Sequence, residues 1–202
     1  MDLNPGNRTD RKKFKTQRLI IDAAVALFTQ NGYENVTMES IAEKSDIAKG
    51  TLYNYFPSKE AIVHAFLQVS FEENSIERIN VLHSLPDSKA RVTWVLSLLI
   101  EGVQRQKEIF QVFMLYRMKN TLSLEPLEES QQSGLTLLIN EILHLGQSEG
   151  DLRSDLPQTI LEGLFEFALI EAIKPYYLDP ENFNRELAVA QAVDIFLHGA
   201  AA

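Results

Sequence analysis

The sequence predicts an all-α protein of about nine helices, with a three-helix head at the N-terminus and a larger helical domain after it. Apolar residues recur at intervals of three and four through most of the 202 residues, which is the spacing of one helix face. No segment alternates apolar and polar residues for long enough to predict a strand. The 45% hydrophobic content is sufficient for a sizeable core.

The composition argues against several classes of function. The chain has no cysteine, so disulfides, thiolate metal sites and cysteine nucleophiles are excluded. The sequence contains no Gly-rich phosphate loop. Its four histidines are scattered rather than paired at metal-ligand spacing: His64, His83, His144 and His198. We therefore expect no enzyme, no cofactor and no metal. No apolar run reaches the roughly 18 residues of a membrane span, and the charged N-terminus lacks the apolar core of a secretory signal, so we expect a cytoplasmic protein.

The net charge of −9 is divided unequally along the chain. Nine Lys and Arg stand against eight Asp and Glu up to Glu60, and ten stand against twenty from Ala61 onward. Between Arg8 and Arg18 there are six basic residues and one acidic residue, Asp10. A basic end on an acidic body is typical of a small nucleic-acid-binding head on a larger domain, although a charge run alone is more often a solvated tail.

The first helix is predicted at 16–30, where one apolar stripe is formed by Leu19, Ile20, Ala23, Ala24, Leu27 and Phe28. Asn31-Gly32 ends it, with glycine at the left-handed position. Residues 1–14 are expected to be mobile because Asn4-Pro5-Gly6-Asn7 cannot sustain a helix. The basic run that follows is a candidate for contacts with phosphates or a minor groove.

The segment 37–59 predicts two short helices joined by a tight turn, which is the size of a helix-turn-helix. Thr37 is a good N-cap for the first of them. Ser45-Asp46 favours a turn. The second helix is predicted at 48–55, and Phe56-Pro57 ends it because the residue before proline is disfavoured in the helical region. Ser58 then caps the next helix.

The second helix of this motif combines an apolar anchor with a polar face. Leu52 and Phe56 lie four apart and share one side. The other side offers groups that bond phosphates, base edges and thymine methyls: Lys49, Thr51, Tyr53, Asn54 and Tyr55. Gly50 leaves room for close approach of a backbone. Structural alternatives stay open at this point, since Tyr53 could be partly core, Thr51 a small spacer and Asn54 merely solvated.

The run Gly50-Thr51-Leu52-Tyr53-Asn54-Tyr55-Phe56 with Lys59, preceded by a helix that ends in Phe28, Gly32 and Tyr33, resembles the DNA-binding domain of the TetR family of bacterial transcriptional regulators. The resemblance covers about residues 18–66. It implies a ligand-responsive repressor that binds a palindromic operator on double-stranded DNA as a homodimer, with a DNA-binding domain at 1–60 and a ligand-binding and dimerisation domain at 61–202. The DNA-binding residues that it implies are Thr37, Lys49, Gly50, Thr51, Tyr53, Asn54, Tyr55 and Lys59.

Six further helices are predicted, at 58–82, 88–105, 106–119, 127–147, 155–178 and 182–198. The first of them joins the two domains. The helix at 155–178 is apolar most of the way round, which indicates burial on both sides, and Pro175 should kink or end it. Gly199 should end the last helix. The resemblance implies that the last two helices pair with a second copy, while the alternative is that they complete the core of the monomer.

A pocket for a small lipophilic effector is expected among the helices of the larger domain. Aromatic and polar residues supply its candidate lining: Trp94, Phe110, Phe113, Met114, Tyr116, Arg117, Phe165 and Glu166. At helical spacing such residues are more often plain core. The competing function is a helical protein-interaction module without specific DNA binding, and it predicts no steep dependence of binding on salt.

Overall fold

The computed structural model describes residues 8–121 and 134–200, with side chains described for 10–115 and 134–199. These residues form ten α-helices and no strand. The helices are α1 (Arg8–Asn31), α2 (Met38–Lys44), α3 (Lys49–Tyr55), α4 (Lys59–Glu72), α5 (Ser75–Ser84), α6 (Ser88–Arg105), α7 (Lys107–Thr121), α8 (Gly134–Glu149), α9 (Gln158–Leu178) and α10 (Arg185–Ala200). The all-α prediction is confirmed for this part of the chain.

Helix α1 begins at Arg8, eight residues earlier than the sequence predicts. The expectation of a mobile segment up to residue 14 is therefore wrong for 8–14, because the breakers end at Gly6 and the basic residues that follow are good helix formers. Ile20, Ala24 and Phe28 are buried as predicted, whereas Leu19 is 50% exposed. Gly32 has φ +77° and ends the helix in the left-handed conformation, as predicted.

The single helix predicted at 58–82 is two helices, which accounts for the tenth element. Helix α4 ends at Glu72 and α5 begins at Ser75. Asn74 occupies the N-cap position of α5 without a side-chain hydrogen bond to the helix. The break contains neither glycine nor proline, and its local signal is Asn74, a residue type that favours N-caps. At the other end of α4, Ser58 Oγ accepts from the Ala61 N–H at 3.4 Å, as the predicted cap requires.

The first compact unit comprises Met1–Ser70 and Gln106–Gln132. Within it, α1 packs on α2, and α2 packs on α3. The fully buried apolar side chains of this unit include Ile20, Ile41, Leu52, Ile62 and Phe113. The boundary predicted at residue 60 divides the chain by function, whereas this unit is defined by packing, so the functional division stays a prediction.

The second compact unit comprises Phe71–Arg105 and Ser133–Ala202. Its packed helix pairs are α9 with α10, α6 with α10, α5 with α8, α8 with α9, α6 with α8 and α6 with α9. Phe165 of α9 and Phe196 of α10 are completely buried and meet edge to face with ring centroids 5.7 Å apart. Edge-to-face packing is a favoured geometry for aromatic pairs, so these rings fix the α9–α10 contact.

Helix α9 ends at Leu178, as predicted, so Pro175 does not end it. Pro175 lies inside the helix, which continues to Leu178, and the Asp179 N–H donates to the Pro175 carbonyl at 2.9 Å. The last helix runs past Gly199 to Ala200, so the predicted stop at Gly199 is wrong. The helix predicted at 127–147 is observed from Gly134, and residues 127–133 lie outside the described part of the chain.

Within the described ranges, no helix is both long enough and apolar enough to span a bilayer. No group of three or more His, Asp or Glu side chains in these ranges is placed to hold a metal ion.

Candidate functional site

Helix α2 begins with a complete capping box. Thr37 has an extended backbone, and its Oγ1 accepts from the Ser40 N–H at 3.1 Å. In return Ser40 Oγ accepts from the Thr37 N–H at 3.1 Å. An N-cap of this kind stabilises a helix by about 1 kcal/mol. The predicted cap is confirmed, and the Thr37 hydroxyl oxygen already accepts a hydrogen bond from the first turn of α2. Its contact with a phosphate stays a prediction.

The turn between α2 and α3 is fixed by local hydrogen bonds. Ser45 is buried, and its Oγ donates to the Ile41 carbonyl at 2.6 Å. Asp46 has φ +54°, in the left-handed region that aspartate tolerates better than most residues. The Ile47 N–H donates to the Ala42 carbonyl at 3.0 Å. The turn therefore sets the direction of α3 relative to α2.

Helix α3 is held by one face and leaves the other open. Leu52 is completely buried and Phe56 is 5% exposed, so both anchors face inward as predicted. The predicted site residues of α3 lie at the surface, half-buried only at Tyr55: Lys49, Gly50, Thr51, Tyr53, Asn54 and Tyr55. Tyr53 is 42% exposed, so its ring is accessible at the surface, and its role in DNA binding stays a prediction.

Lys49 is paired across the motif with an acidic residue. Its Nζ bonds to Glu39 Oε1 on α2, and both side chains are more than half exposed. The hydrogen bond with Lys49 lowers the pKa of Glu39, and the same bond raises the pKa of Lys49. The ammonium also lies 5.9 Å from the centroid of the Tyr53 ring. Since water reaches both charges, a phosphate can replace Glu39 as the partner of Lys49.

Gly50 has open space where a side chain would start. A Cβ built there would meet no atom within 4 Å. Nothing inside this part of the protein therefore requires glycine at this position. The open space is consistent with close approach of a molecule from outside.

Lys59 is placed by Tyr33 rather than projecting freely. Its Nζ donates to the Tyr33 carbonyl at 2.9 Å and lies 4.3 Å from the ring centroid. The Tyr33 hydroxyl donates to Glu60 Oε1 at 2.8 Å, and burial, followed by that hydrogen bond, raises the pKa of Tyr33. An ammonium has three donors. Lys59 therefore has N–H donors left that could bond a phosphate. Its role as a phosphate contact stays a prediction.

A contact from much later in the chain completes this cluster. Glu108 Oε2 on α7 accepts from the Tyr33 N–H at 2.6 Å. The residues around Tyr33 were not predicted from the sequence as a group. Their partners are 26, 27 and 75 positions away, and no local pattern signals contacts at such separations.

The comparison with protein families decides the identity of the motif. Residues 20–66 match the model described as bacterial regulatory proteins, tetR family. Residues 20–66 are therefore a TetR-family segment. The chain is 38% identical over 107 residues to the HTH-type transcriptional repressor KstR of Rhodococcus jostii (strain RHA1). That alignment covers 52% of this chain and 46% of KstR, so the chain matches less than half the length of this relative.

Two solved structures share the fold over nearly the whole chain. The Thermus thermophilus repressor FadR, in complex with lauroyl-CoA, has a TM-score of 0.73 and 22% identity, covering 91% of this chain and 94% of FadR. RolR in complex with resorcinol has a TM-score of 0.67 and 21% identity, covering 95% of this chain and 90% of RolR. At these identities the likeness establishes a TetR-type fold.

Outside the TetR family segment, the predicted pocket residues fall in both compact units. Phe110, Phe113 and Met114 are buried on α7 in the first unit, and Phe110 and Phe113 meet edge to face at 6.3 Å. In the second unit Phe165 is buried, and Trp94 and Glu166 are half-buried. The side chains of Tyr116 and Arg117 lie outside the described residues. That these residues line one pocket stays a prediction.

A cavity of about 650 Å³ lies elsewhere, between α6 and α10. Valine and leucine side chains form part of its lining, and charged residues of both signs complete it. Its lining residues are Lys89, Thr93, Ser97, Arg185, Glu186, Val189, Ala190, Val193, Asp194, Leu197 and His198. Its volume suits a small ligand, so this α6–α10 groove is a second candidate for a binding site.

Proposed function

We propose that this chain is a transcriptional repressor that binds a palindromic operator as a homodimer and releases it when a small lipophilic effector binds. The observation that carries the proposal is the open polar face of α3, anchored from beneath by Leu52, within a TetR-family segment. A helix fixed in this way presents lysine, hydroxyl and amide groups to a major groove. The KstR relative is itself named a repressor.

The homodimer is supported by apolar side chains that remain exposed on the last two helices. Ile160 and Phe167 of α9 are 48% and 53% exposed, and Leu187 and Ile195 of α10 are 55% and 44% exposed. In each helix the two residues lie about two turns apart and share a face. Between the α9 pair, Gly163 has open space beside it. A second copy would cover this surface, and operator half-sites would then repeat at the spacing of the two α3 helices.

The lipophilic effector is supported by the apolar interior of the second unit and by the compounds held in similar folds. The FadR structure contains lauroyl-CoA, and the RolR structure contains resorcinol. An effector acts only through a difference in its affinity for the DNA-binding and the released states. Release of DNA on binding is therefore the property to measure.

The DNA-binding part of the proposal is tested by selecting bound duplexes from a random pool and weighing the complexes. We expect enrichment of a palindrome carrying two chains or a multiple of two. Tyr53→Ala and Lys49→Ala should each weaken binding at least tenfold, about 1.4 kcal/mol. Arg105→Ala is the matched control because Arg105 is also an exposed cation paired with a glutamate, Glu101, but lies on α6. It should bind as the unmodified protein does.

Salt dependence separates this function from the protein-interaction alternative. Each phosphate neutralised by a cation contributes about −0.9 to the slope of log affinity against log salt. Lys49→Ala should make that slope less negative by about one. No enriched sequence, together with binding that is indifferent to salt, would support the protein-interaction module instead.

The dimer is tested by the mass of the protein in solution. Phe167→Glu should convert the dimer to monomer, since it places a charge in an apolar interface. The same substitution should abolish cooperative binding to a two-half-site operator. A dimer that persists in this variant and in Leu187→Glu would contradict the proposed interface.

A further inference from the structure

Arg78 of α5 has an incompletely satisfied guanidinium group inside the second unit. The group lies over the Phe71 ring, with Cζ 4.9 Å from the ring centroid. Its Nη1 is buried and has no hydrogen-bond partner. Burial lowers the pKa of Arg78, and the charge of the adjacent Glu77 acts in the opposite direction. A guanidinium remains protonated in proteins, so this half-buried arginine has one buried cationic donor without an acceptor.

Arg91 in the same unit shows how the fold satisfies an arginine when the role is structural. Its side chain is 3% exposed. Nε donates to the Leu82 carbonyl and Nη2 to the Leu85 carbonyl, each at 3.1 Å. Nη1 and Nη2 donate to the two oxygens of Glu149 at 2.5 and 2.8 Å. Every nitrogen of Arg91 is therefore bonded, and the spare donor of Arg78 is not a general property of buried arginines here.

A second unsatisfied polar atom lies on the helix that packs against α5. Asn140 Oδ1 on α8 is buried and has no hydrogen-bond partner. Helices α5 and α8 are in contact and are also joined by His83 Nε2 and Glu141 Oε1 at 2.6 Å. The buried residues of α8 around Asn140 are apolar: Leu135, Leu138, Ile139, Ile142 and Leu143. Buried polar groups in folded proteins are nearly always bonded, so two exceptions on one helix pair point to a missing partner.

We infer that Arg78 binds the oxyanion of the effector and that the effector is an amphiphile with a carboxylate or phosphate at one end of an apolar body. A guanidinium offers a fork of donors that matches two oxygens of such a group. The buried apolar residues of α8 around Asn140 contact the effector's chain. This inference rests on the proposed effector-regulated function and names the chemistry of its effector.

The α6–α10 groove is the competing site for such a molecule. Its cations, Lys89 and Arg185, are accompanied by Glu186 and Asp194. The groove hydroxyls already donate to their own helix, Thr93 to the Lys89 carbonyl and Ser97 to the Thr93 carbonyl, each at 2.7 Å. A binding test therefore needs a variant that fills this groove, and Ser97→Trp provides it.

The experiment measures binding of three probes to the full chain by calorimetry without DNA, below the concentrations at which the probes form micelles. The probes are decanoate, decyl phosphate and decanol. We expect the anions to bind at least about tenfold more tightly than decanol. Arg78→Met should remove that preference while leaving decanol binding unchanged, and Arg78→Lys should retain part of it. Ser97→Trp should have no effect, and the stronger of the two anions identifies the carboxylate or phosphate source.

Thermal unfolding of the ligand-free protein distinguishes a binding role from a structural one. Asn140→Leu should raise Tm by about 2–4 °C because it removes a buried unpaired acceptor. Arg78→Met should not lower Tm. A fall in Tm like that of Arg91→Met would instead assign Arg78 to the fold and overturn the inference.

Two further outcomes overturn it: no preference of the unmodified protein for the anions, or an unchanged preference in Arg78→Met. Operator binding is measured separately on the same proteins. Arg78→Met should still bind the operator and fail to release it with the anionic probe. If the unmodified protein binds anions through Arg78 but binds no operator, the proposed function fails while the site stands.

Discussion

The two compact units differ in the location of polar side-chain groups that do not stabilise the fold. In the first unit these groups are on the outside, on the face of α3 that carries Tyr53 and Asn54. In the second unit three of them are inside, at Arg78 Nη1, Ser88 Oγ and Asn140 Oδ1. A duplex can reach an exposed helix face, whereas Nη1 of the half-buried Arg78 is shielded from solvent. This difference is what the proposed DNA site in the first unit and the inferred effector site in the second would require.

The largest expected effect concerns Arg91, the arginine of the second unit whose nitrogens are all hydrogen-bonded. Arg91→Met should lower the free energy of unfolding by about 3 kcal/mol, the low end for breaking a buried ion pair, because Glu149 is 40% exposed and regains water. Denaturant unfolding measures it. Arg153→Met is the control, since Arg153 pairs with Asp155 at the surface, and its effect should be within about 0.5 kcal/mol. Equal losses would show that Arg91 is not specially placed.

The next effect tests whether the exposed polar face of α3 contacts DNA. Gly50→Ala should stabilise the protein by up to about 0.5 kcal/mol, because alanine favours a helix and the site has room. It should nevertheless weaken operator binding by about tenfold, since the added methyl stands where the DNA backbone approaches. Unfolding and operator titration are measured on the same sample. A variant that is more stable and binds equally well would show that no partner approaches Gly50.

A smaller effect concerns the Thr37 hydroxyl, which stabilises the start of α2 in the first unit. Thr37→Ala should lower the free energy of unfolding by about 1 kcal/mol through loss of the capping box. Thr29→Ala removes a threonine whose hydroxyl bonds only to the Val25 carbonyl of its own helix, at 2.9 Å, and should have little effect. If the two variants are equally stable, the cap contributes nothing beyond helix propensity.

The smallest effect concerns competition between Glu39 and DNA phosphates for Lys49 of α3. Glu39→Gln frees Lys49 from its carboxylate partner and should strengthen operator binding by about two- to fivefold at low salt, with a smaller gain at high salt. Glu43→Gln makes the same charge change at another exposed position of α2. An equal gain in both variants would assign the effect to net charge rather than to the pairing of Glu39 with Lys49.

The sequence predicted those parts of the structure that depend on near neighbours. The Thr37 cap, the Ser45-Asp46 turn, the inward Leu52 and the end of α3 at Phe56-Pro57 each follow from residues within four positions. The break at 73–74 was missed because it contains no glycine or proline and the N-cap preference of Asn74 was not taken into account. The start of α1 was placed too late because the helix breakers at 4–7 were expected to make the chain mobile as far as residue 14, although the basic residues after them are good helix formers.

Contacts between distant residues could not be predicted in the same way. Arg91 and Glu149 are 58 positions apart, and Tyr33 and Glu108 are 75 apart. The aromatic residues expected to line a pocket also illustrate the limit. Periodicity assigns Phe113 and Phe165 to the inside of helices, but it does not distinguish a wall that contacts a ligand from a wall that contacts another side chain.

The hydrogen bond from the Tyr33 N–H to Glu108 has a consequence for protein engineering. The family match ends at residue 66, which suggests a convenient cassette for exchanging operator specificity between regulators. A chimaera cut there would separate Tyr33, which positions Lys59, from the carboxylate that bonds its backbone. Exchanging residues 106–121 together with 1–66 would keep that carboxylate with the transplanted head, so the transferable part of this regulator is two segments of chain rather than one.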